Sequence, residues 1–313
     1  MYNMAKIDYK SIPKEILEIL DKCYITIKSN PIEIKTIDAI IYLFDIDHPD
    51  IQGICVKKMQ PTENYSLRRK RKQLLEKEYR ALKILERKGF QEGNFKVPKV
   101  IGYFPEHLSI VEERIYGKSF IELAKDSSLS EVSLLGNYVG KWLAKLHSST
   151  QEKVSTIKIK DTPKYREFKQ KVERKRYNLD NQTIKNLNNY LENIGELSVT
   201  LPICLTHGDA SPIHYMLTDN GIIYGIDFNA SEYDIPYVDI GTLISNSKYW
   251  FSNLNNDKNF KKFMEGFISS YSELCDFVIH SDAVEFFVIK SEYDKYRENI
   301  DLEHIHNVVK NVL

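Results

Sequence analysis

The dominant hydrophobic period of this sequence shifts from alternating to helical near residue 130, and that shift sets the fold class. Apolar residues alternate in the first part: YITIKS (24–29), PIEIKTI (31–37), AIIYLFDI (39–46) and GICVKKM (53–59) are β-branched runs separated by Ser-Asn-Pro and His-Pro-Asp turns. Such alternation predicts a small antiparallel sheet. From about 130 the period is helical, and in LLGNYVGKWLAKLHS (134–148) Leu135, Tyr138, Val139, Trp142, Leu143 and Leu146 share one face. Strands gathered at one end and helices at the other predict an α+β protein with two lobes, sheet-rich over 1–112 and mainly helical over 118–313.

Smaller features refine this plan. Residues 11–22 read as an amphipathic helix with Ile12, Ile16, Leu17 and Leu20 on one side and Ser11 as its cap. A charged helix is expected over 66–89, with VPKVIGYF (97–104) and LSIVEERI (108–115) as strands behind it. Residues 163–196 read as helical, 201–229 as strands with turns, and 237–279 and the C-terminus as helices.

Composition excludes several classes. Lys plus Arg and Asp plus Glu each total 44, which argues against a general nucleic-acid binder, so no specific nucleic-acid partner is expected. Cys23, Cys55, Cys204 and Cys275 are far apart and form no CxxC pair, which fits neither a zinc site nor a dense disulfide framework. No stretch approaches the ~18 apolar residues of a transmembrane helix, and the N-terminus lacks an apolar run of signal length. A cytoplasmic location follows by elimination.

The segment 205–244, LTHGDASPIHYMLTDNGIIYGIDFNASEYDIPYVDIGTLI, carries the chemistry. Two apolar pieces, 215–217 and 222–228, flank the turn Thr218–Gly221, a hairpin expected to bring Asp209 and Asp227 together. Paired carboxylates there suit metal-assisted phosphoryl transfer, one orienting a hydroxyl and one holding a metal. The plainer reading, that both are turn and cap residues, has equal weight on spacing alone.

These residues resemble the aminoglycoside phosphotransferase and choline kinase family, whose fold is like that of protein kinases. His207-Gly208-Asp209, then His214, then Ile226-Asp227-Phe228 follow its HGDxxxxN…IDF signature, and EYDIPYVDIGTLI, with Asp234, Pro236 and Asp239, looks like its GDPxxDLA segment. Upstream, GICVKKM, KEYRALKIL, VPKVIGYF, SIVEERIYG and VGKWLAKLHS match its pieces in order over roughly 50–245. The resemblance implies an ATP-dependent kinase (GTP being a possible donor) that uses Mg²⁺ or Mn²⁺ and transfers a phosphoryl group to a hydroxyl of a small molecule. It implies a nucleotide-binding lobe over 1–112, a hinge at 113–117 and a catalytic, acceptor-binding lobe over 118–313. Asp209 would be the catalytic base and Asp227 the main metal ligand. Lys57, with Lys58 in reserve, would contact the donor phosphates, tied by Glu78. Glu113 and Ile115 would offer backbone groups to adenine. His207 and Asp239 would support the catalytic loop.

The sequence departs from that pattern at two places. His214 stands where the family has a metal-binding Asn, and imidazole suits Mn²⁺ or Zn²⁺ better than Mg²⁺. His214 is therefore a metal ligand for a softer ion, a residue outside the coordination shell, or the mark of an impaired site. No glycine precedes Gly53, so Ser29-Asn30-Pro31 or Ile37-Asp38-Ala39 must form the phosphate-side turn. A protein kinase and a nucleotide-binding regulatory module are the rival readings.

Charge patterning points two ways on the acceptor. The run 157–176, with Lys158, Lys160, Lys164, Arg166, Lys169 and Lys171, would suit an anionic acceptor such as a phosphorylated sugar, against the plainer reading of a solvated helix face. The acidic stretch 282–303, with Asp282, Glu285, Glu292, Asp294, Glu298, Asp301 and Glu303, would suit an amine. A second basic run, Arg68 to Lys72, falls just before or at the start of the helix carrying Glu78, where positive charge opposes the helix dipole, so a flexible loop is an alternative to helix there.

Overall fold

A computed structural model describes residues 7–174, 179–296 and 301–313. Elements run in the order α1 (Lys14–Lys22), β1 (Ile32–Lys35), β2 (Ala39–Asp45), β3 (Gly53–Met59), α2 (Tyr65–Arg87), β4 (Phe95–Lys96), β5 (Val100–Phe104), β6 (Ser109–Glu113) and β7 (Gly117–Ser119). There follow α3 (Phe120–Ala124), α4 (Leu129–Thr150), β8 (Lys153–Lys158), α5 (Pro163–Glu173), α6 (Asn181–Gly195), β9 (Ser198–Thr206), β10 (Tyr215–Thr218), β11 (Ile223–Gly225), β12 (Glu232–Asp234), α7 (Tyr237–Asn253), α8 (Asp257–Leu274), α9 (Ser281–Tyr296) and α10 (Leu302–Val312). The chain divides into two compact units, Met1–Lys118 with Met216–Ser231, and Ser119–Tyr215 with Glu232–Leu313. The β10–β11 hairpin thus belongs mostly to the N-terminal unit, although it comes late in the sequence. No helix among the described residues is long and apolar enough to cross a membrane.

In the first unit, five strands form a sheet in the order β1-β2-β3-β6-β5, antiparallel throughout. Successive side chains of a strand point to opposite faces, so β3 serves two layers. Ile54 and Val56 pack with Ile16, Ile19 and Leu20 of α1 in one apolar cluster, and Lys58 pairs with Glu15 of that helix. Cys55, Lys57 and Met59 turn to the face where α2 lies. That helix buries Leu75, Glu78, Leu82 and Leu85, a stripe at helical spacing.

Two local expectations are corrected and one alternative is resolved. Ser11 does not cap α1: its hydroxyl donates to the Asp8 carbonyl at 2.8 Å within a 3₁₀ turn, and the helix begins only after Pro13. Residues 24–29 form no strand, and Ile27 makes only an isolated bridge to Ile46. Tyr24 leaves α1 at φ +56°, and Pro31, which lacks an N–H, interrupts the ladder further on. The basic run from Arg68 to Lys72 is helical, because Asn64 caps α2 by accepting from Leu67 N at 3.0 Å, and Arg71 folds back onto the Gln60 carbonyl at 2.6 Å.

The second unit is mainly helical. Helices α4 and α8 approach so closely that a Cβ at Gly136 would lie 1.9 Å from the Phe263 carbonyl oxygen and one at Gly266 1.9 Å from that of Ser133. This approach sets His147 on α4 beside Tyr271 on α8. A three-stranded antiparallel sheet, β12-β9-β8, carries the chain through β9 into the loop at His207.

Candidate active site

Within the first unit, Lys57 Nζ donates to both oxygens of Glu78 at 2.9 and 2.8 Å and to Asp227 Oδ1 at 2.7 Å. Of Lys57 and Lys58, the pleat turns only Lys57 towards α2 and Glu78, while Lys58 pairs with Glu15 of α1. Burial works against the Lys57 ammonium, but the carboxylates of Glu78, Asp227 and Glu112 outweigh it and hold the group firmly protonated. Asp227 takes φ +64°, a left-handed conformation rare for a residue with a Cβ. Such strain, of order 1–3 kcal/mol, is usually kept at functional positions. Asn229 Nδ2 donates to the same Oδ1 at 2.6 Å.

Glu112 is a member of this cluster that motif reading missed. It pairs across the sheet with Cys55 and so shares the Lys57 face. Burial, reinforced by Glu78, pushes its carboxyl well above the ordinary range. Its signal lay in the two-residue alternation of β6, which places Ile110 and Glu112 opposite Val111 and Glu113.

Glu113 commits its amide to the Lys99 carbonyl at 2.8 Å, while the Ile115 backbone makes no hydrogen bond among the described residues. The β1–β2 turn falls at the second of the two expected places. Thr36 N donates to the Ala39 carbonyl at 2.9 Å and its hydroxyl accepts from Ala39 N at 3.0 Å. A threonine side chain thereby closes the β1–β2 turn.

Within the second unit, Asp239 on α7 is fully buried and gathers the loop after β9. Its Oδ2 accepts from His207 N and its Oδ1 from Gly208 N, each at 2.7 Å. Gly208 sits at φ +80°, which glycine adopts without a Cβ clash. His147 Nε2 meets Asp239 Oδ2 at 2.9 Å and so carries the proton, leaving Nδ1 to accept from the Tyr271 hydroxyl at 2.7 Å. The His207 ring is enclosed, edge-on to Trp142 at 6.4 Å and stacked on His214 at 5.6 Å.

His214 Nδ1 lies 2.8 Å from the Asp209 carbonyl oxygen, so it is the protonated nitrogen and closes the Asp209–Tyr215 turn. Asn246, also missed, donates to Asp209 Oδ1 at 3.1 Å and to the Ala210 carbonyl at 2.7 Å. Its position was marked only by helical spacing: it lies seven residues, two turns, after Asp239 on the same face of α7.

Asp209 and Gly208 line a cavity of about 200 Å³ whose other walls are Lys164 of α5, Val238 and Thr242 of α7, and Phe287, Lys290, Ser291, Asp294 and Lys295 of α9. The basic run and the acidic stretch both contribute to this wall, and an ion pair, Lys171 with Asp294, joins them. Lys164 pairs with Glu232, and Lys171 and Lys290 hold the two oxygens of Asp294 at 2.6 and 2.8 Å. Glu285 pairs with His306 at 2.7 Å, and Asp301 caps α10. Glu298 lies outside the described residues.

Asp234 carries a pH-dependent load. It is buried, and burial raises its carboxyl to about 6 against the Ile235 amide and the Lys164 charge, which favour ionisation. A folded-state pKa above the unfolded value favours the folded chain at low pH. The ionised carboxylate therefore costs the folded state about 3 kcal/mol above pH 6, and the cost fades as pH falls towards 4. Asp234→Asn is expected to be the more stable protein at pH 7.5 in urea denaturation, with the gap closing by pH 4; a gap independent of pH would reject the assignment.

The donors present fit a hard cation at Asp227. Its Oδ1 accepts from Lys57 and Asn229, and a carboxylate is the hard oxygen donor that Mg²⁺ prefers. Among the described residues no group of three or more His, Cys, Asp or Glu forms a cage.

An antiparallel-sheet unit with a buried Lys–Glu pair and a helical unit whose loop after β9 is braced by a buried aspartate define the protein-kinase-like class of phosphotransferases. The chain belongs to the phosphotransferase enzyme family, whose model matches residues 57–262. Among solved structures it is similar to the streptomycin–ATP complex of the aminoglycoside phosphotransferase APH(2″)-IIa, at 18% identity over 94% of this chain and 93% of that one, TM-score 0.56. It is similar also to macrolide 2′-phosphotransferase type I, at 13% identity over 95% of each chain, TM-score 0.56. A third is the ADP–hygromycin B complex of a thermostable mutant of APH(4)-Ia, at 13% identity over 94% of this chain and 97% of that one, TM-score 0.60. No curated protein matches the sequence significantly.

Proposed function

We propose that this phosphotransferase moves the γ-phosphoryl group of ATP, or of GTP, to a hydroxyl of a small molecule, a sugar or another anionic acceptor. The observation that carries the reading is the buried Lys57 ammonium, held on one side by Glu78 and on the other by Asp227. Few structural needs explain a lysine fixed between two carboxylates beside a third, Glu112, whereas a donor's phosphates explain it directly.

Each residue then has a task. Lys57, aimed by Glu78, binds the donor phosphates, and the open Ile115 backbone binds the base. Asp227 holds Mg²⁺ or Mn²⁺, which supplies neutralisation of the phosphate charge. Asp209 accepts the proton of the attacking hydroxyl, its carboxylate oriented by Asn246 and its main chain by His214. Asp239 and His147 position the loop through the amides of His207 and Gly208 and touch no reactant. We place the chain in the cytoplasm, where its four unbridged cysteines stay reduced.

Incubating the protein with ATP or GTP and either Mg²⁺ or Mn²⁺ tests the reading. Slow hydrolysis that vanishes in Asp227→Ala is expected, and the best pair names donor and metal. Hydrolysis unchanged in that variant would reject it.

A further inference from the structure

We propose that the cavity beside Asp209 takes a small acceptor bearing a negative group, and that Lys295 is the residue that receives this group. The inference rests on the phosphotransferase reading and gives its acceptor a charge and an address.

The ion pairs around the cavity show which charges are available. An acceptor rich in amines needs free carboxylates. The lining offers Asp209, which must face the hydroxyl, and Asp294, whose two oxygens are already held by Lys171 at 2.6 Å and Lys290 at 2.8 Å. Of the lining cations, Lys164 is paired with Glu232 and Lys290 with Asp294. Lys295 differs, for it makes no ion pair among the described residues. Its Nζ donates instead to the hydroxyl of fully buried Ser245 at 2.8 Å, and that hydroxyl donates to Glu292 at 2.5 Å.

The ammonium is therefore oriented by a neutral group and left with charge to spare beside Asp209. Crowding by the protein lowers its pKa to about 8, opposed by Glu292 and Asp209; the residue is exposed by area, so solvent moderates that depression. A carboxylate or phosphate entering the cavity would relieve the same cost. Ser291 and Thr242, on the same wall, add hydroxyls suited to an oxygen-rich ligand. The volume, about 200 Å³, lies below the roughly 300–1,000 Å³ of sites for drug-sized ligands, which favours a ligand near the size of a monosaccharide.

The test uses the full chain with its donor site filled by AMP-PNP and Mg²⁺, titrated with D-ribose, D-ribose 5-phosphate and gentamicin. Ribose 5-phosphate is expected to bind roughly tenfold or more tighter than ribose, the effect of one hydrogen bond to a charged group, and gentamicin to bind more weakly than either. K295M should erase the preference for the phosphate-bearing sugar and K295R should restore it, which separates lost charge from damaged packing. Tighter binding of gentamicin, no binding of ribose 5-phosphate, or a preference that survives in K295M overturns the proposal. Failure of AMP-PNP to bind overturns the phosphotransferase reading as well, whereas AMP-PNP binding without an anion preference overturns this inference alone.

Discussion

Asp209→Ala is expected to lower phosphoryl transfer by roughly 10²–10⁴-fold, the usual contribution of a positioned general base. The fold should survive the change, because the loop is braced through main-chain amides by Asp239 rather than through the Asp209 side chain. Nucleotide binding should survive as well, since Lys57, Glu78 and Asp227 are untouched. The loss should therefore fall on kcat, with the affinity for AMP-PNP retained. Asp209→Asn should be nearly as damaging, for the amide keeps a polar contact for Asn246 and cannot accept the proton. A single-turnover rate equal to that of the unmodified chain would end the assignment of Asp209 as the base.

Glu78→Leu is expected to destabilise the nucleotide-free protein by about 3 kcal/mol, near the low end for stranding a buried partner, because Asp227 still pairs with Lys57. Glu78 is 1% exposed and Lys57 9%, so water can compensate little. The double variant Lys57→Met/Glu78→Leu should be more stable than the single one, since two apolar side chains of similar volume replace a desolvated ion pair. Neither variant should turn over nucleotide. Denaturation of the four proteins in a double-mutant cycle measures the coupling. Additive effects would show that the two charges act independently, contrary to the distances of 2.9 and 2.8 Å between them.

The parts of the site that could be read in advance are those whose chemistry is local. His207-Gly208-Asp209 and Ile226-Asp227-Phe228 are contiguous, and the α2 stripe containing Glu78 follows helical spacing. Asn246, Glu112 and Lys295 belong to no motif, and the periodicity that places the first two on a face does not say what they meet there. Asn246 meets Asp209 across 37 positions and Lys295 meets Ser245 across 50. The charge runs misled for the same reason. Read along the chain, 157–176 is basic and 282–303 acidic; folded, Lys171 of one neutralises Asp294 of the other.

The sequence by itself determined that strands precede helices, that the class is α+β, and that two aspartates flank a hairpin, because periodicity and turn chemistry act over a few residues. Only the tertiary structure decided which lysine of Lys57 and Lys58 meets Glu78, that His214 ties the loop at the Asp209 carbonyl, and which ammonium beside Asp209 makes no ion pair among the described residues. Those outcomes depend on which face of a strand is covered and on which charges from distant elements come to rest within hydrogen-bonding distance, and no short window of sequence contains that information.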